Sequence, residues 1–248
     1  MPGRHAGRIV AITGGAAGIC QAIVQRLAAE GARVAIADIA DAAETVELTR
    51  RAGGEAAGYR VDIAHWEQIS AFASAVRADF GEPSIAIHCA ALQFMCPFEQ
   101  LTSEQWRATH DVNVLGGFHL AKALLPAMKA ARWGRIVMVA SSSFFAPPPG
   151  MTHYISSKGA LLGLVRGLAA EVGEFGITVN ALAPGLTRTR HAIAGVPQAH
   201  FDAVRAHQAV NRNGEPEDQA GAISFIVSDD AAFMSGQTLL VDGGEGHV

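Results

Sequence analysis

Tyr154 and Lys158 stand four residues apart in Tyr154-Ile-Ser-Ser-Lys158, a spacing that puts a phenol and an ammonium on one face of a helix. A free tyrosine titrates near ~10, too high for a proton acceptor at neutral pH, but an adjacent ammonium favours the phenolate and turns the pair into a base. Thirteen residues before Tyr154, Ser141 ends the strand-like run RIVMVAS. In a parallel sheet, sites gather at the carboxyl ends of strands, and a serine hydroxyl there can donate to a substrate oxygen. The chemistry suggested is proton transfer at that oxygen. YxxxK alone is a common string, and its company upstream carries the weight.

That company begins with ITGGAAGIC, Ile12 to Cys20, at the junction of a strand and a helix. Gly14 and Gly18 allow a turn free of side chains, on which a diphosphate can sit at the helix N-terminus. There, backbone N–H groups and the macrodipole favour negative charge. Asp38 ends the second strand, twenty residues beyond Gly18, where a carboxylate can accept hydrogen bonds from an adenosine ribose. Ala16, Ala17 and Ile39 offer no Arg or Lys to neutralise a 2′-phosphate, and Asp38 would repel one, so the cofactor expected is NAD rather than NADP. Asp62, in the VDI that ends the third strand, has two readings that stand level: a cap for the adenine amino group, or a turn former.

The elements that must hold these residues follow from periodicity. Short β-type runs at Arg8–Thr13, Arg33–Asp38, Ala56–Asp62, Ser84–Cys89, Gly134–Ser141, Thr178–Ala183 and Leu239–Val241 alternate with helical patterns. The helices expected are Ile19–Glu30, Ala42–Ala52, Trp66–Phe80, Ser103–Ala131, Tyr154–Phe175 and Pro216–Ser228. Such alternation predicts βαβ units around a parallel sheet covered on both faces, an α/β fold of Rossmann type. With no linker, charge block or internal repeat, residues 1–248 are expected to form one domain, whose one irregular segment is Leu186–Asn213. Half of the residues are hydrophobic, 27 are glycine and 17% are charged, which suits a large core with many tight turns.

The net charge of -4 gives no field that favours nucleic acid or an anionic membrane, so a small neutral or mildly charged partner is expected. Cys20, Cys89 and Cys96 are odd in number, with no CxxC pair and no Cys/His cluster at zinc-ligand spacing, which suggests a reducing compartment and no structural metal. The start has no signal-like apolar core, and no apolar run approaches the roughly 18 residues of a membrane span, so a soluble cytoplasmic protein is expected.

In order and spacing these motifs resemble the short-chain dehydrogenase/reductase family, over essentially the whole chain from about Gly7 to Gly244. TGGAAGI is similar to the family's glycine loop, Asn113 in DVNVLGGF to its helix asparagine, Ser141 to its serine, and Tyr154 with Lys158 to its YxxxK pair. Pro184-Gly185 in NALAPG and the segment SGQTLLVDGG match two further markers. The resemblance implies a seven-stranded doubly wound sheet and hydride transfer between NAD(H) and a secondary alcohol or ketone. It implies that Tyr154 moves the proton, Ser141 polarises the carbonyl, Lys158 lowers the tyrosine pKa and holds the nicotinamide ribose, and Asn113 positions a relay water. Cofactor contacts are expected from Ile19, Ile63, Ala90, Pro184 and Gly185, with Thr187 and Thr189 near the carboxamide and phosphates. Leu186–Asn213 becomes a substrate lid, and the long helices a route to a homotetramer.

Two stretches depart from the family's pattern. Cys20 stands where a third loop glycine is usual, and His88-Cys89-Ala90-Ala91 where NNAG is usual. Ala91 adds a methyl group where backbone approaches the ribose, so weaker cofactor affinity is expected. His88, ending a buried strand, is expected to be a satisfied structural residue, and Cys89 and Cys96 small buried hydrophobes. The segment from Ser141 to His153 is fixed at both ends by site residues, so its middle should border the substrate. Pro147, Pro148 and Pro149 stiffen it, Phe144, Phe145 and Met151 offer apolar surface, and His153 offers a polar handle, unless both phenylalanines pack inward. Gln93, Phe94, Leu186, His191 and Ile193 are expected to face that wall, which favours a cyclic or aromatic secondary alcohol. Arg188 and Arg190 would instead bind a carboxylate if they turn inward. Two rival readings share part of the pattern: a catalytically silent NAD-binding or interaction protein, and an S-adenosylmethionine methyltransferase. Neither has a use for the Tyr154–Lys158 pair.

Overall fold

Seven strands form one parallel sheet in the computed structural model, which describes residues 3–246; residues 1, 2, 247 and 248 of the expected domain lie outside the described residues. The strands are β1 (Ile9–Thr13), β2 (Arg33–Asp38), β3 (Glu55–Arg60), β4 (Ile85–His88), β5 (Gly134–Val139), β6 (Ile177–Pro184) and β7 (Thr238–Val241), ordered β3-β2-β1-β4-β5-β6-β7. The helices are α1 (Gly18–Ala29), α2 (Ala43–Arg51), α3 (Trp66–Asp79), α4 (Ser103–His110), α5 (Gly116–Ala131), α6 (Thr152–Val172), α7 (Arg190–Gly195), α8 (Gln198–His207) and α9 (Pro216–Ile226).

Both faces of the sheet are covered because successive strand residues point to opposite sides. Val10 and Ile12 pack with Ile23, Val24 and Leu27 of α1 and with Ile223 and Ile226 of α9. Ile9 and Ala11 belong to the opposite core, with Phe72 of α3, Leu120 and Leu124 of α5, and Leu161 and Val165 of α6. Each fully buried Ile, Leu or Phe is worth about 1.5–3 kcal/mol, so the two apolar layers fix the register that brings the strand ends together. The order reverses direction between β1 and β4, the topological switch where the carboxyl ends of strands leave a crevice.

Three local features differ from the expected elements. The helix foreseen over Ser103–Ala131 contains a π-turn at Asp111–Leu115, centred on Asn113. Leu186–Asn213 is not wholly irregular: it carries α7 and α8, and Thr189 caps the first by accepting from the Ala192 N–H at 3.1 Å. Helix α6 starts at Thr152, so Tyr154 and Lys158 lie in its first two turns. Among the described residues, no helix is long and apolar enough to cross a membrane.

Candidate active site

Ser141, Tyr154 and Lys158 meet on one cleft of about 1280 Å³. Ser141 lies just beyond the end of β5; its hydroxyl donates to the Ser143 hydroxyl at 3.0 Å and accepts from the Ser143 N–H at 3.2 Å. Tyr154 and Lys158 come from α6, and both are buried. The Lys158 Nζ lies 5.4 Å from the centre of the Tyr154 ring and donates to the Val139 carbonyl at 2.7 Å. Burial pulls the Lys158 ammonium down to about 7. Burial also raises the Tyr154 phenol above its ordinary value, and the hydrogen bond with Ser141 offsets part of that. The phenol is thus raised rather than lowered as expected from the lysine, because desolvation penalises its charged form.

Asn113 stands behind this centre rather than on the cleft. Its Oδ1 accepts from the Leu92 N–H at 2.7 Å, and its Nδ2 donates to the Leu92 carbonyl at 3.1 Å and to the Ser157 hydroxyl at 2.8 Å. Ser157 in turn donates to the Tyr154 carbonyl at 2.6 Å. The amide of Asn113, a residue to which the family resemblance gives a relay water, braces α6 against the loop after β4, and Ser157, which the motifs did not single out, completes the brace. His88 is fully buried between Thr13 Oγ1 at 3.0 Å and the Asn113 carbonyl at 2.9 Å. The carbonyl can only accept, so Nε2 carries the proton, and Nδ1 accepts from Thr13. Burial, and the Lys158 charge nearby, hold His88 down to about 3, so it stays neutral.

The other end of the cleft is lined by Gly14, Ile19, Asp38, Asp62, Ile63 and Ala90, while Pro184, Gly185, Thr187 and Thr189 line it from the end of β6 to the start of α7. Gly18, in the first turn of α1, is not on the lining. Gly14 has φ +78°, and a Cβ there would come within 2.6 Å of the Ala90 Cα, so the loop can pass under a ligand only as glycine. Helix α1 has no side-chain cap and no acidic residue in its first turn, which leaves its N–H groups for an anion. Asp38 accepts from the Ala16 N–H at 3.0 Å and the Ala40 N–H at 2.9 Å, and beside it Ile39 is 67% exposed at the rim. Asp62 Oδ1 accepts from the Ala64 N–H at 3.0 Å, the geometry of a turn former, although the residue also borders the cleft. An uncapped helix end, a glycine cradle and a ribose-height carboxylate fit a dinucleotide. No group of His, Cys, Asp or Glu among the described residues is arranged to hold a metal.

Beyond Tyr154 the cleft is lined by Gln93, Phe94, Pro147, Pro148, Met151, Leu186 and His191, all within the wall expected from the sequence, and also by Met95, Val204, His200 and Glu245. Several expected members are elsewhere. Phe144 and Phe145 pack edge to face at 5.2 Å, and the Phe144 ring covers Gly159 of α6 while Phe145 joins the core. His153 is fully buried and stacked on Phe94 at 4.1 Å, with neither ring nitrogen hydrogen-bonded, so it supports the wall from behind and is no polar handle. Ile193 points to solvent, 52% exposed. Arg188 pairs with Glu215 at 3.6 Å and Arg190 with Glu44 at 2.5 Å, so neither turns inward as an anion clamp.

The cysteines depart furthest from expectation. Cys20, in the first turn of α1, and Cys89, one residue past β4, are joined as a disulfide with Cα atoms 6.5 Å apart, and Cys96 is free. Pairing of β1 with β4 brings together two residues 69 apart in sequence, a juxtaposition that a search for CxxC spacing cannot detect. Thiol titration of the denatured, unreduced protein is therefore expected to give one thiol per chain and, after reduction, all three; three thiols without reduction would remove the bridge.

The family model described as enoyl-(acyl carrier protein) reductase matches residues 14–245. A 2,5-dichloro-2,5-cyclohexadiene-1,4-diol dehydrogenase of Sphingobium indicum is 37% identical over 246 residues, covering 96% of each chain. A 3-oxoacyl-(acyl-carrier-protein) reductase of Pseudomonas aeruginosa is 34% identical, covering 96% of this chain and 97% of the relative. Among solved structures, a gluconate 5-dehydrogenase from Burkholderia cenocepacia in complex with NADP and tartrate is similar with a TM-score of 0.90, 31% identity, and coverage of 97% of this chain and 95% of that one. Motif order, strand order and near full-length likeness agree: the chain belongs to the short-chain dehydrogenase/reductase family of oxidoreductases.

Proposed function

We propose that the protein is an NAD-dependent dehydrogenase that oxidises a small cyclic or aromatic secondary alcohol, or reduces the corresponding ketone. The observation that carries this reading is the single cleft running from Asp38 and Gly14 past Ser141, Tyr154 and Lys158 into an apolar chamber. Asp38, Gly14 and the α1 N-terminus hold NAD by ribose and diphosphate; the bound nicotinamide supplies a hydride acceptor. Ser141 and Tyr154 hydrogen-bond the substrate oxygen, Tyr154 takes its proton in the oxidative direction, and Lys158 shares the charge and holds the nicotinamide ribose. Asn113 acts through Ser157 to keep α6 in register with the loop after β4. Phe94, Met95, Met151 and the prolines exclude water and favour a ring, in keeping with the cyclohexadiene diol in the name of the Sphingobium relative. Trp106 of α4, Leu115 at the end of the π-turn and Phe118 of α5 remain exposed, an apolar surface suited to a homo-oligomer such as a tetramer.

Absorbance of the reduced cofactor, followed with cyclic secondary alcohols, tests the reaction, and absence of any turnover or of NAD binding would sink it. Cofactor choice has its own test. Asp38 accepts from ribose hydroxyls and repels a 2′-phosphate, so NAD is preferred. Asp38→Ala with Ile39→Arg, at a rim position able to meet a phosphate, should narrow the NAD-over-NADP ratio by roughly tenfold or more. Equal use of both cofactors by the unmodified protein would show that Asp38 does not face the ribose.

A further inference from the structure

The chamber beyond Tyr154 is apolar on most sides, and its polar groups are unevenly charged. Apart from Lys158 itself, no lysine or arginine lines the cleft among the described residues, and the nearest candidates, Arg188 and Arg190, are held outward by Glu215 and Glu44. Besides Asp38 and Asp62 on the glycine-loop side, two further carboxylates line it, both from the segment after β7. Asp242 is committed to folding that segment: its Oδ1 accepts from the Gly244 N–H at 2.9 Å and its Oδ2 from the Gly246 N–H at 2.8 Å. Those bonds curl the chain around Asp242, and the Val210 N–H donates to the Gly243 carbonyl at 2.8 Å, which fastens the curl to the end of the lid. Glu245 sits on this curl, half-buried, and makes no hydrogen bond or ion pair with another described residue. It is an acceptor carried on that curl, on the wall of a cleft whose far side offers a substrate mainly carbon and sulfur.

From this arrangement we infer that Glu245 reads a second hydroxyl of the substrate, which makes the preferred substrate class a neutral cyclic diol. The inference rests on the dehydrogenase reading above and narrows it. A ring seated between Phe94, Met95 and Met151 presents one carbinol to Tyr154, and its second hydroxyl donates to the Glu245 carboxylate, with His200 and His191 on the lid side as further polar neighbours. A hydroxy acid at the same place brings its own carboxylate against Glu245 and Asp242 with no lysine or arginine besides Lys158 on the lining to offset it. Burial and Asp242 push Glu245 above the usual carboxylate range while His200 and His207 pull it back, in keeping with a negative, partly desolvated position.

The test compares kcat/KM with NAD for cyclohexanol, the cyclohexanediol isomers and 4-hydroxycyclohexanecarboxylate. At least one diol should exceed cyclohexanol by roughly tenfold, and the hydroxy acid should fall below both. Glu245→Ala should remove most of the diol advantage, Glu245→Gln should keep part of it through the amide oxygen, and Glu245→Lys should raise the hydroxy acid relative to the diol. A diol advantage that survives Glu245→Ala, or a hydroxy acid preferred by the unmodified protein, overturns the inference while leaving the dehydrogenase reading intact. If no alcohol is oxidised, the dehydrogenase reading fails separately. Thermal stabilisation by diol in the presence of NAD, in unmodified protein against Glu245→Ala, then still judges Glu245: an equal shift in both overturns it.

Discussion

Tyr154→Phe is expected to lower turnover by about 10³-fold while leaving NAD binding nearly unchanged. The substitution removes one oxygen from a side chain that is 7% exposed, and the ring keeps its packing, so folding is little affected. What is lost is the group that shares a hydrogen bond with Ser141 and stands over the Lys158 Nζ. The Ser141 hydroxyl remains to orient a carbonyl but cannot replace the proton acceptor, because the side-chain partner left to it is the equally weak Ser143 hydroxyl at 3.0 Å. Steady-state rates set beside cofactor titration of the same variant decide it: turnover within tenfold of the unmodified enzyme would end the assignment of Tyr154 as the base.

Lys158→Met should abolish measurable turnover and at the same time raise thermal stability. Lys158 is 1% exposed, and its pKa falls to about 7 from an unfolded value near ~10.4. A lowered lysine means that the unfolded chain holds the proton more tightly, so stability rises with pH between about 7 and the unfolded value, and the penalty is complete below about 7. Replacing a buried charge by an apolar side chain of similar volume is worth about 1–4 kcal/mol, and each kcal/mol moves a chain of this size by about 2–4 °C. A Tm higher by roughly 5 °C near neutral pH follows, and a lower Tm would show that the bond to the Val139 carbonyl outweighs the desolvation. The pH profile carries the catalytic half of the same argument. Lys158 releases its proton near 7 and can then accept one from the phenol, so oxidation should rise as pH rises through about 7. In Lys158→Met any residual activity should rise only above the ordinary tyrosine range, since burial, offset only in part by Ser141, holds the phenol up. An unmoved profile would deny Lys158 that role.

Residue order alone determined the sheet and much of the site. Alternating β-type and helical runs place seven strands, because apolar periodicity is a local property of the chain. Gly14, Asp38, Ser141, Tyr154 and Lys158 were legible because each sits at the carboxyl end of a strand or the start of a helix, and a parallel sheet carries all such ends to one edge. Tertiary structure decided what depends on contacts between segments far apart in sequence. Cys20 meets Cys89 only because β1 lies beside β4. Phe144 turns from the chamber because Gly159 leaves space for its ring, and His153 because Phe94 stacks on it. Arg188 and Arg190 face outward because Glu215 and Glu44 are there to pair with them. Asn113 lies in a π-turn whose amide is taken by Leu92 and Ser157. Glu245, which no motif flags, reaches the cleft because Asp242 curls the chain after β7 against the segment that follows α8. Strand edges are set by backbone hydrogen bonding and local pattern, whereas the direction of a side chain is set by whichever neighbour offers the better partner, and that neighbour exists only once the chain has folded.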